Sequence, residues 1–328
     1  MSAGMISTQP SEPPLMVFSG RGNPDLSAKI ADHLGFPLGA VSIQTFADGE
    51  IYCKYDASIR GADVFIVQPT CRPVNENLME LLIMIQAARL ASTRRITAVI
   101  PWYGYSRQDK KSQPREPITA KLVADLLEAA GVNRVLTMDL HAGQLQGFFN
   151  VPCDHMTAMP MLTDYFRFKG ADEIVVVAPD AGGVKTAKRC AVHLSASLAI
   201  LSKVRSGHNV SRVLGVIGDV KGKTAVMIDD IVDTAGTLCN GAETLMEYGA
   251  KEVYAAATHP VLSDPAYERI AASPLKELVV TDTIPLRLDK DRSKIVVLST
   301  AQILADTIKN VHLHESVSAL FQGENQLF

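Results

Sequence analysis

Short runs of β-branched and aliphatic residues alternate with segments of helical periodicity along most of the chain. The apolar runs predict strands at 64–67, 97–100, 135–138, 174–177, 225–228, 253–256 and 278–281. The clearest predicted helix covers residues 77–91, where aliphatic side chains fall on one stripe. Apolar strands separated by helices are typical of a parallel sheet that is covered on both faces. The pattern therefore predicts an α/β protein.

The two halves of the chain repeat a common order of features. Residues 97–141 match residues 224–259, and residues 64–69 match residues 174–179. Both longer segments end in a histidine that lies six residues after a valine. The offset drifts between the matched pairs, which excludes a solenoid repeat. A duplicated α/β domain explains the match, and chance similarity between successive βαβ units is the alternative.

Composition bounds the possible functions. The 328 residues suffice for two domains, 47 % are apolar, and the net charge of −3 gives no basic field for nucleic acid. No apolar run reaches membrane length, and the polar, proline-bearing N-terminus lacks the order of a signal peptide. The five cysteines show no metal-ligand spacing, which is typical of a reducing compartment. We therefore predict a cytoplasmic protein that binds neither membrane nor nucleic acid.

The most informative segment begins at the apolar strand 225–228. Two acids follow, Asp229 and Asp230, and then the turn Asp233, Thr234, Ala235, Gly236 and Thr237, with a helix predicted to open near Leu238. The N–H groups of such a turn and of the helix N-terminus bind phosphate, and carboxylates accept hydrogen bonds from sugar hydroxyls. The segment predicts a site for a phosphorylated sugar. The alternative is a helix cap with a solvated acidic turn.

Two segments of the first half are candidates for nucleotide binding. Residues 103–115 contain four cations, Gln108 and two aromatic residues, and Arg107 and its neighbours suit a polyphosphate. A solvated charged surface is the alternative. The other segment suits a nucleoside: adenine would stack on Phe46, and Asp48 or Glu50, beside Gly49, would accept a hydrogen bond from the adenine amino group or a ribose hydroxyl. The alternative there is a hairpin turn with a core phenylalanine.

Further candidate residues follow strands of both halves. His141 and Asp180 come at the carboxyl ends of strands, where they suit Mg²⁺ together with nucleotide oxygens and water. A structural histidine is the alternative for His141. Lys203 and Arg205 lie in a segment of loop composition. They are either surface charges or mobile cations that close over a transferring phosphoryl group.

Residues 229–237 resemble the signature of the type I phosphoribosyltransferase fold. Taken with other ordered motifs, they make the chain similar to class I ribose-phosphate pyrophosphokinases from about Val17 to Phe321. The other motifs are Phe46–Glu50, Tyr105–Asp109, Arg115–Lys121, Asp139–His141, Gln146–Phe149 and Pro179–Gly183. The resemblance implies two duplicated type I phosphoribosyltransferase-like domains at 15–155 and 156–315, each a mostly parallel sheet flanked by helices. A flexible tail 1–14 and a tail 316–328 that packs back on the N-terminal domain complete the expected organisation.

The resemblance also implies an activity: transfer of the diphosphoryl group of ATP to the 1-hydroxyl of ribose 5-phosphate, which gives AMP and phosphoribosyl diphosphate for nucleotide, histidine and tryptophan synthesis. It implies Mg²⁺ as cofactor, ADP and phosphate as regulators, and a homohexamer. The implied catalytic residues are Lys203 and Arg205, and the implied metal ligands are His141 and Asp180. ATP is assigned to Phe46, Asp48, Gly49, Glu50, Arg107 and Gln108. Ribose 5-phosphate is assigned to Arg205, Asp229, Asp230, Asp233, Thr234, Ala235, Gly236 and Thr237.

Two departures and two rivals qualify this expectation. Val204 stands where the family often has a charged residue, and His208 lies in a loop that is usually more basic in the family. A phosphoribosyltransferase shares the loop 229–237 but has no need of a second α/β half. A non-catalytic regulatory subunit keeps the fold and alters the catalytic segments, whereas Lys203 and Arg205 are both present here. The expected function is therefore catalysis.

Overall fold

A computed structural model describes residues 13–169, 173–205 and 211–321, without the side chains of residues 168, 203–205, 211–214 and 321. Most of the predicted N-terminal tail and residues 322–328 lie outside the described residues. Tertiary contacts divide the rest into two units. The first contains residues 13–137, Gln144–Asp154 and Ala301–Leu320, and the second contains Met138–Gly143 and His155–Thr300.

The first sheet has the order β1-β4-β5-β6-β7, and the pairings among β1, β4, β5 and β6 are parallel. A separate antiparallel hairpin, β2–β3, follows the first helix. The elements are β1 (Leu15–Ser19), α1 (Pro24–Leu34), β2 (Val41–Thr45), β3 (Ile51–Tyr55), β4 (Asp63–Val67), α2 (Val74–Leu90), β5 (Arg95–Ile100), α3 (Thr119–Ala130), β6 (Arg134–Met138), a 3₁₀ helix (Gly143–Phe148) and β7 (Cys153–Met156).

The second sheet has the order β10-β9-β8-β11-β12-β13-β14 and is parallel except for the β9–β10 hairpin. Its elements and the last helices are α4 (Met159–Lys169), β8 (Ile174–Ala178), α5 (Val184–His193), β9 (Ser197–Arg205), β10 (Ser211–Ile217), β11 (Thr224–Val232), α6 (Gly236–Glu247), β12 (Glu252–Pro260), α7 (Ala266–Ala272), β13 (Glu277–Thr281), β14 (Ile295–Leu298), α8 (Ala301–His312) and a 3₁₀ turn (Ser318–Phe321).

The predicted fold class is confirmed. Each predicted apolar run is a strand. The central strand β4 is buried throughout and β11 at six of its nine residues, because helices cover them. The predicted helix 77–91 is α2, which begins three residues earlier. The sequence pattern did not reveal β2 and β3, whose residues are half-buried or exposed. In the described residues, no helix combines the length and apolarity needed to cross a bilayer.

The two halves do repeat the same order of elements, but the predicted matching of their segments is wrong: it is shifted by one βαβ unit. Chain order and sheet order together equate β1-β4-β5-β6-β7 with β8-β11-β12-β13-β14. The hairpins β2–β3 and β9–β10 then take the same place, after the first strand and helix of each half. Residues 97–100 therefore correspond to β12 instead of β11, and His141 does not correspond to His259. Successive βαβ units have the same local sequence pattern, so the sequence alone does not distinguish the correct matching from one shifted by one βαβ unit.

The last helix, α8, lies in the first unit and not, as predicted, in the C-terminal domain. The sequence placed residues 301–315 in the C-terminal domain, whereas α8 packs against α1 in the first unit. Buried Asp63 accepts hydrogen bonds from Arg95 Nε at 2.9 Å and from Arg95 Nη2, and its Oδ2 lies 2.9 Å from His312 Nδ1. Arg95 also donates to the carbonyl of Val311 at 3.1 Å. This network fixes the end of α8 in the first unit.

We predict that Arg95→Ala lowers the free energy of unfolding by about 3–5 kcal/mol, because it leaves the buried Asp63 carboxylate without its guanidinium partner. The matched control is Lys121→Ala, which removes an exposed ion pair to Asp125 within α3 and costs less than about 0.5 kcal/mol. Urea unfolding of both variants measures the difference. Equal costs for the two substitutions would contradict the role of Asp63 as a buried anchor.

Candidate active site

The loop after β11 leads directly into a helix. Asp229 and Asp230 lie within β11, whose last residues pair with β12, and α6 begins at Gly236, two residues before the predicted start. The N-cap residue is Ala235, at φ 57° and ψ 8°, and it makes no side-chain cap. The capping alternative for this segment is therefore wrong. The first N–H groups of α6 have no partners within the helix and suit a bound anion.

A basic residue that the sequence did not reveal lies against this loop. Arg269, in α7, donates from Nη1 to the carbonyl oxygen of Thr234 at 2.9 Å. A Cβ at Gly236 would lie 3.3 Å from the same guanidinium nitrogen. The small residue at 236 therefore lets Arg269 approach the loop. Its positive charge favours an anion at this position.

In the second unit His141 lies beside Asp230 and Asp229, and Asp180 acts electrostatically on Asp229. His141 Nδ1 lies 2.7 Å from Asp230 Oδ2, and the Asp230 N–H donates to Asp229 Oδ1 at 2.9 Å. Burial, Asp230 and Asp180 together hold the pKa of Asp229 well above its ordinary value. Burial opposes ionisation of Asp230 as well, but hydrogen bonds from His141 and Asp229 lower its pKa overall. The cluster thus accumulates negative charge that a cation would offset.

Asp180 follows β8 and holds its own loop. Its Oδ1 accepts from the N–H groups of Gly182 at 2.9 Å and Gly183 at 3.2 Å. In the described residues, no three His, Cys, Asp or Glu side chains are arranged as a complete metal site. Oxygen donors and one imidazole fit Mg²⁺, which keeps waters and takes substrate oxygens as its other ligands. His141 and Asp180 therefore stay predicted ligands.

Hydrogen bonds from several elements hold the backbone that carries His141. Asp139 has a positive φ of 34°, and its Oδ2 accepts from Ala158 N–H at 2.8 Å and from Thr258 Oγ1 at 2.6 Å. The N–H of Leu140 donates to His155 Nε2 at 2.8 Å. None of these partners was predicted from the sequence. These hydrogen bonds stabilise the positive φ of Asp139, which is unfavourable for residues other than glycine.

His259 supports the same backbone from β12. Its Nε2 lies 3.1 Å from the carbonyl oxygens of both Met138 and Asp139, so this nitrogen carries the proton. Its Nδ1 accepts from Thr283 Oγ1 at 2.9 Å. Burial lowers the pKa of His259, which favours this neutral form. His259 is thus a structural support for the segment that carries His141.

The predicted ATP residues lie in the first unit. Phe46 is at the tip of the β2–β3 hairpin and is 51 % exposed, with Tyr52 42 % exposed and their ring centroids 6.0 Å apart. The hairpin turn of the alternative is present, with Gly49 at φ 95°. Phe46, however, is not a core residue. Asp48 accepts from the N–H of Glu50 at 3.1 Å. The tip therefore presents an aromatic face beside carboxylates.

Arg107 and Gln108 lie in the loop after β5, and both are exposed. Gln108 accepts from Thr119 Oγ1 at 2.5 Å, and its carbonyl accepts from Ala120 N–H at 3.2 Å, which ties the loop to the start of α3. The backbone of Lys203 and Arg205 belongs to β9, and their side chains lie outside the described residues. The roles assigned to these four residues stay predictions.

Comparison with known proteins identifies the family. Residues 15–131 match the model of the N-terminal domain of ribose phosphate pyrophosphokinase, and residues 193–322 match that of the phosphoribosyl synthetase-associated domain. The chain is 54 % identical over 308 residues to a ribose-phosphate pyrophosphokinase of Caldanaerobacter subterraneus subsp. tengcongensis, which covers 94 % of this chain and 98 % of the relative. The chain belongs to the ribose-phosphate pyrophosphokinase family.

Two further relatives agree with this assignment. A ribose-phosphate pyrophosphokinase of Bacillus cereus is 53 % identical over 316 residues, which are 96 % of this chain and 100 % of the relative. The crystal structure of phosphoribosylpyrophosphate synthetase from Mycobacterium smegmatis superposes with a TM-score of 0.87 at 47 % identity, over 92 % of this chain and 99 % of that one. The family's fold therefore extends over nearly the whole chain.

We predict a pH dependence of stability from His155. Burial lowers the pKa of His155 to about 4, against an ordinary value of 6.5. Between these values the unfolded chain binds a proton that the folded chain does not, so the stability present above pH 6.5 is lost as the pH falls toward 4. The loss from this group is on the order of 3 kcal/mol.

His155→Gln removes this titration, and we expect its unfolding free energy to change less than that of the wild type between pH 6.5 and 4. Exposed His33→Gln is the control and retains the wild-type slope. Urea unfolding across this pH range measures both. Parallel curves for wild type and His155→Gln would show that His155 is not held neutral by burial.

Proposed function

We propose that this chain transfers the β,γ-diphosphoryl group of ATP to the 1-hydroxyl of ribose 5-phosphate. The 1-oxygen of the sugar attacks the β-phosphorus, the bond from that phosphorus to the bridging α,β-oxygen breaks, and AMP leaves. The hydroxyl proton passes to solvent. The observation that carries the proposal is the end of β11 and the loop after it: two carboxylates, a turn without a side-chain cap, and the start of α6 directly behind that turn. Membership of the family supports the same reaction.

The second unit supplies the assigned sugar-phosphate residues. The 5-phosphate accepts hydrogen bonds from the backbone of residues 233–237, beside the positive charge of Arg269. Asp229 and Asp230 accept hydrogen bonds from the ribose hydroxyls and orient the sugar. Phosphoryl transfer depends mainly on positioning and charge neutralisation, so rigid support of the sugar is a direct contribution to rate.

The first unit supplies the assigned ATP residues. Adenine stacks on the exposed ring of Phe46, and Asp48 and Glu50 accept hydrogen bonds from the nucleoside. Arg107 and Gln108 contact the phosphates.

Lys203 and Arg205 neutralise the charge that develops on the transferred group. These roles follow the family resemblance and the exposure of the described residues.

His141 and Asp180 are the residues proposed to hold Mg²⁺. A bound Mg²⁺ would offset the charge of the diphosphoryl group. His141 is kept in place by Asp230 and by the supported segment 138–140, and Asp180 is kept in place by its own turn. We assign no general base, because His141 and the carboxylates beside it already have hydrogen-bond partners. The predicted cytoplasmic location is part of this proposal.

Sugar-dependent formation of AMP from Mg²⁺-ATP tests the reaction. We expect AMP only when ribose 5-phosphate is present. In Lys203→Ala we expect kcat to fall at least about 100-fold, since the variant lacks one positive charge that neutralises the transferred group. Exposed Lys251→Ala is the control and keeps wild-type kcat. A chain that makes no AMP but is otherwise folded would fit a regulatory subunit. Consumption of phosphoribosyl diphosphate with a free base would favour the transferase rival.

We further propose a homohexamer that ADP inhibits and phosphate activates. An apolar surface supports self-association: α2 carries apolar residues on the face opposite the sheet, and with α3 it forms a groove of about 430 Å³. Leu82, Ile83, Leu90 and Leu126 line this groove, and Leu90 is 75 % exposed. Exposed apolar surface of this kind is typical of protein interfaces.

Light scattering tests the assembly. We expect a six-chain mass for the wild type and a smaller mass for Leu90→Glu, because a charge in the groove opposes burial there. Leu288→Glu changes a leucine of the second unit that is 82 % exposed, and this control keeps the wild-type mass. A wild-type mass for Leu90→Glu would exclude the groove from the interface.

A further inference from the structure

We propose that Arg21 is a positioning residue for the ATP-binding hairpin, and that it holds the tip of the hairpin through Thr45. The proposal rests on the ATP role assigned above to Phe46. Arg21 Nη1 donates to Thr45 Oγ1 at 3.0 Å, and Arg21 Nε donates to Glu80 Oε2 at 2.5 Å. One guanidinium thus joins the hairpin to α2. Neither the sequence motifs nor the proposed reaction uses Arg21, Thr45 or Glu80.

The carboxylate that holds Arg21 is itself fixed. The side chain of Glu80 is only 2 % exposed. Its Oε1 accepts from the backbone N–H of Arg21 at 2.6 Å and from Gln68 Nε2 at 3.0 Å. Gln68 also donates to the carbonyl oxygen of Asn77 at 3.2 Å. Because both oxygens of Glu80 have partners, the guanidinium has a defined position.

The loop that carries Arg21 lies close against Gln68. A Cβ at Gly20 would lie 2.3 Å from Gln68 Oε1, and a Cβ at Gly22 would lie 2.8 Å from the carbonyl oxygen of Pro69. The N–H of Gly22 donates to Gln68 Oε1 at 2.8 Å. Glycine on both sides of Arg21 permits this close approach. The side chain of Arg21 therefore extends from a rigid base.

The hairpin needs such a contact. It is a two-stranded sheet outside the main sheet, and a ribbon of this kind is marginal by itself. Its base is fixed by Tyr55, whose hydroxyl donates to the carbonyl oxygen of Met84 at 3.0 Å. Thr45 lies at the other end, paired with Ile51 and adjacent to Phe46. A bond to Thr45 therefore limits movement where the aromatic ring leaves the strand.

The chemistry of the guanidinium suits this role. Its planar fork donates in two directions at once, to a carboxylate and to a hydroxyl, which an ammonium group on a flexible chain does not reproduce. Its side chain is 45 % exposed, while the carboxylate it neutralises is buried. Arg21 thereby connects a rigid interior group to an exposed hairpin.

Steady-state kinetics with purified full-length protein test the inference. Thr45→Val removes the hydroxyl and keeps the branched shape, and Arg21→Lys keeps a charge beside Glu80 but loses the fork. We expect each to raise the KM for ATP about fivefold, the effect of one lost hydrogen bond, with little change in kcat or in the KM for ribose 5-phosphate. Thr45→Ser retains the hydroxyl and keeps the wild-type KM.

The double variant decides whether the two residues act together. If they share one contact, Thr45→Val with Arg21→Lys raises the KM for ATP no further than either change alone. Multiplied effects, wild-type KM values, or an equal rise in the KM for ribose 5-phosphate would overturn the inference. Hydrogen exchange of residues 45–51 gives a readout without ATP. Faster exchange in both single variants supports the contact, and unchanged exchange overturns it.

Phe46→Ala separates this inference from the proposed function. A raised KM for ATP in Phe46→Ala, with wild-type behaviour of Thr45→Val and Arg21→Lys, overturns the positioning role alone. An unchanged KM for ATP in Phe46→Ala overturns the ATP assignment of the hairpin, and the inferred effect on ATP is lost with it. The exchange measurement still reports whether Arg21 holds the tip.

Discussion

The accumulation of negative charge at the carboxyl end of β11 is the constraint on which the candidate site depends. Asp229 and Asp230 are adjacent in one strand of a buried parallel sheet, and Asp180 acts on Asp229 electrostatically. Such a group is stable only when protons, hydrogen bonds or cations offset the repulsion. Here a raised pKa at Asp229 and a hydrogen bond from His141 to Asp230 provide part of that compensation. A divalent cation and the hydroxyl groups of a sugar complete it in the proposed reaction.

The rest of the second unit supports this arrangement. Two buried neutral histidines, His155 and His259, bind the backbone that carries His141, and both have lowered pKa values because of burial. Neutral imidazole can both donate and accept, so it holds a turn without adding charge to an already charged region. Beside this cluster, Arg269 places a positive charge against the loop after β11, whose backbone N–H groups are the ones proposed to bind an anion. The proposal therefore places ligands of opposite charge at β11 and at the loop that follows it.

Most features that the sequence predicted depend on residues that are close together in the chain. Apolar runs located the central strands, and the loop 233–237 was recognisable because strand, small residues and helix follow one another directly. The supporting contacts had no such local pattern. Asp139 and Thr258 are 119 residues apart in the chain, and His312 and Asp63 are 249 apart. The predicted matching of the two halves was likewise shifted by one βαβ unit, since only the order of strands in the sheet distinguishes one βαβ unit from the next.

Transfer of label from ATP that carries ³²P at its β-phosphorus tests the central claim most directly. With ribose 5-phosphate present, the reaction proposed here moves the label into the diphosphate of the sugar product and leaves AMP unlabelled. Label that stays in a nucleotide, as ADP, while the sugar gains only an unlabelled phosphoryl group would contradict diphosphoryl transfer. The bond broken in ATP would then lie between the β- and γ-phosphorus atoms, and the function assigned to this site would be wrong.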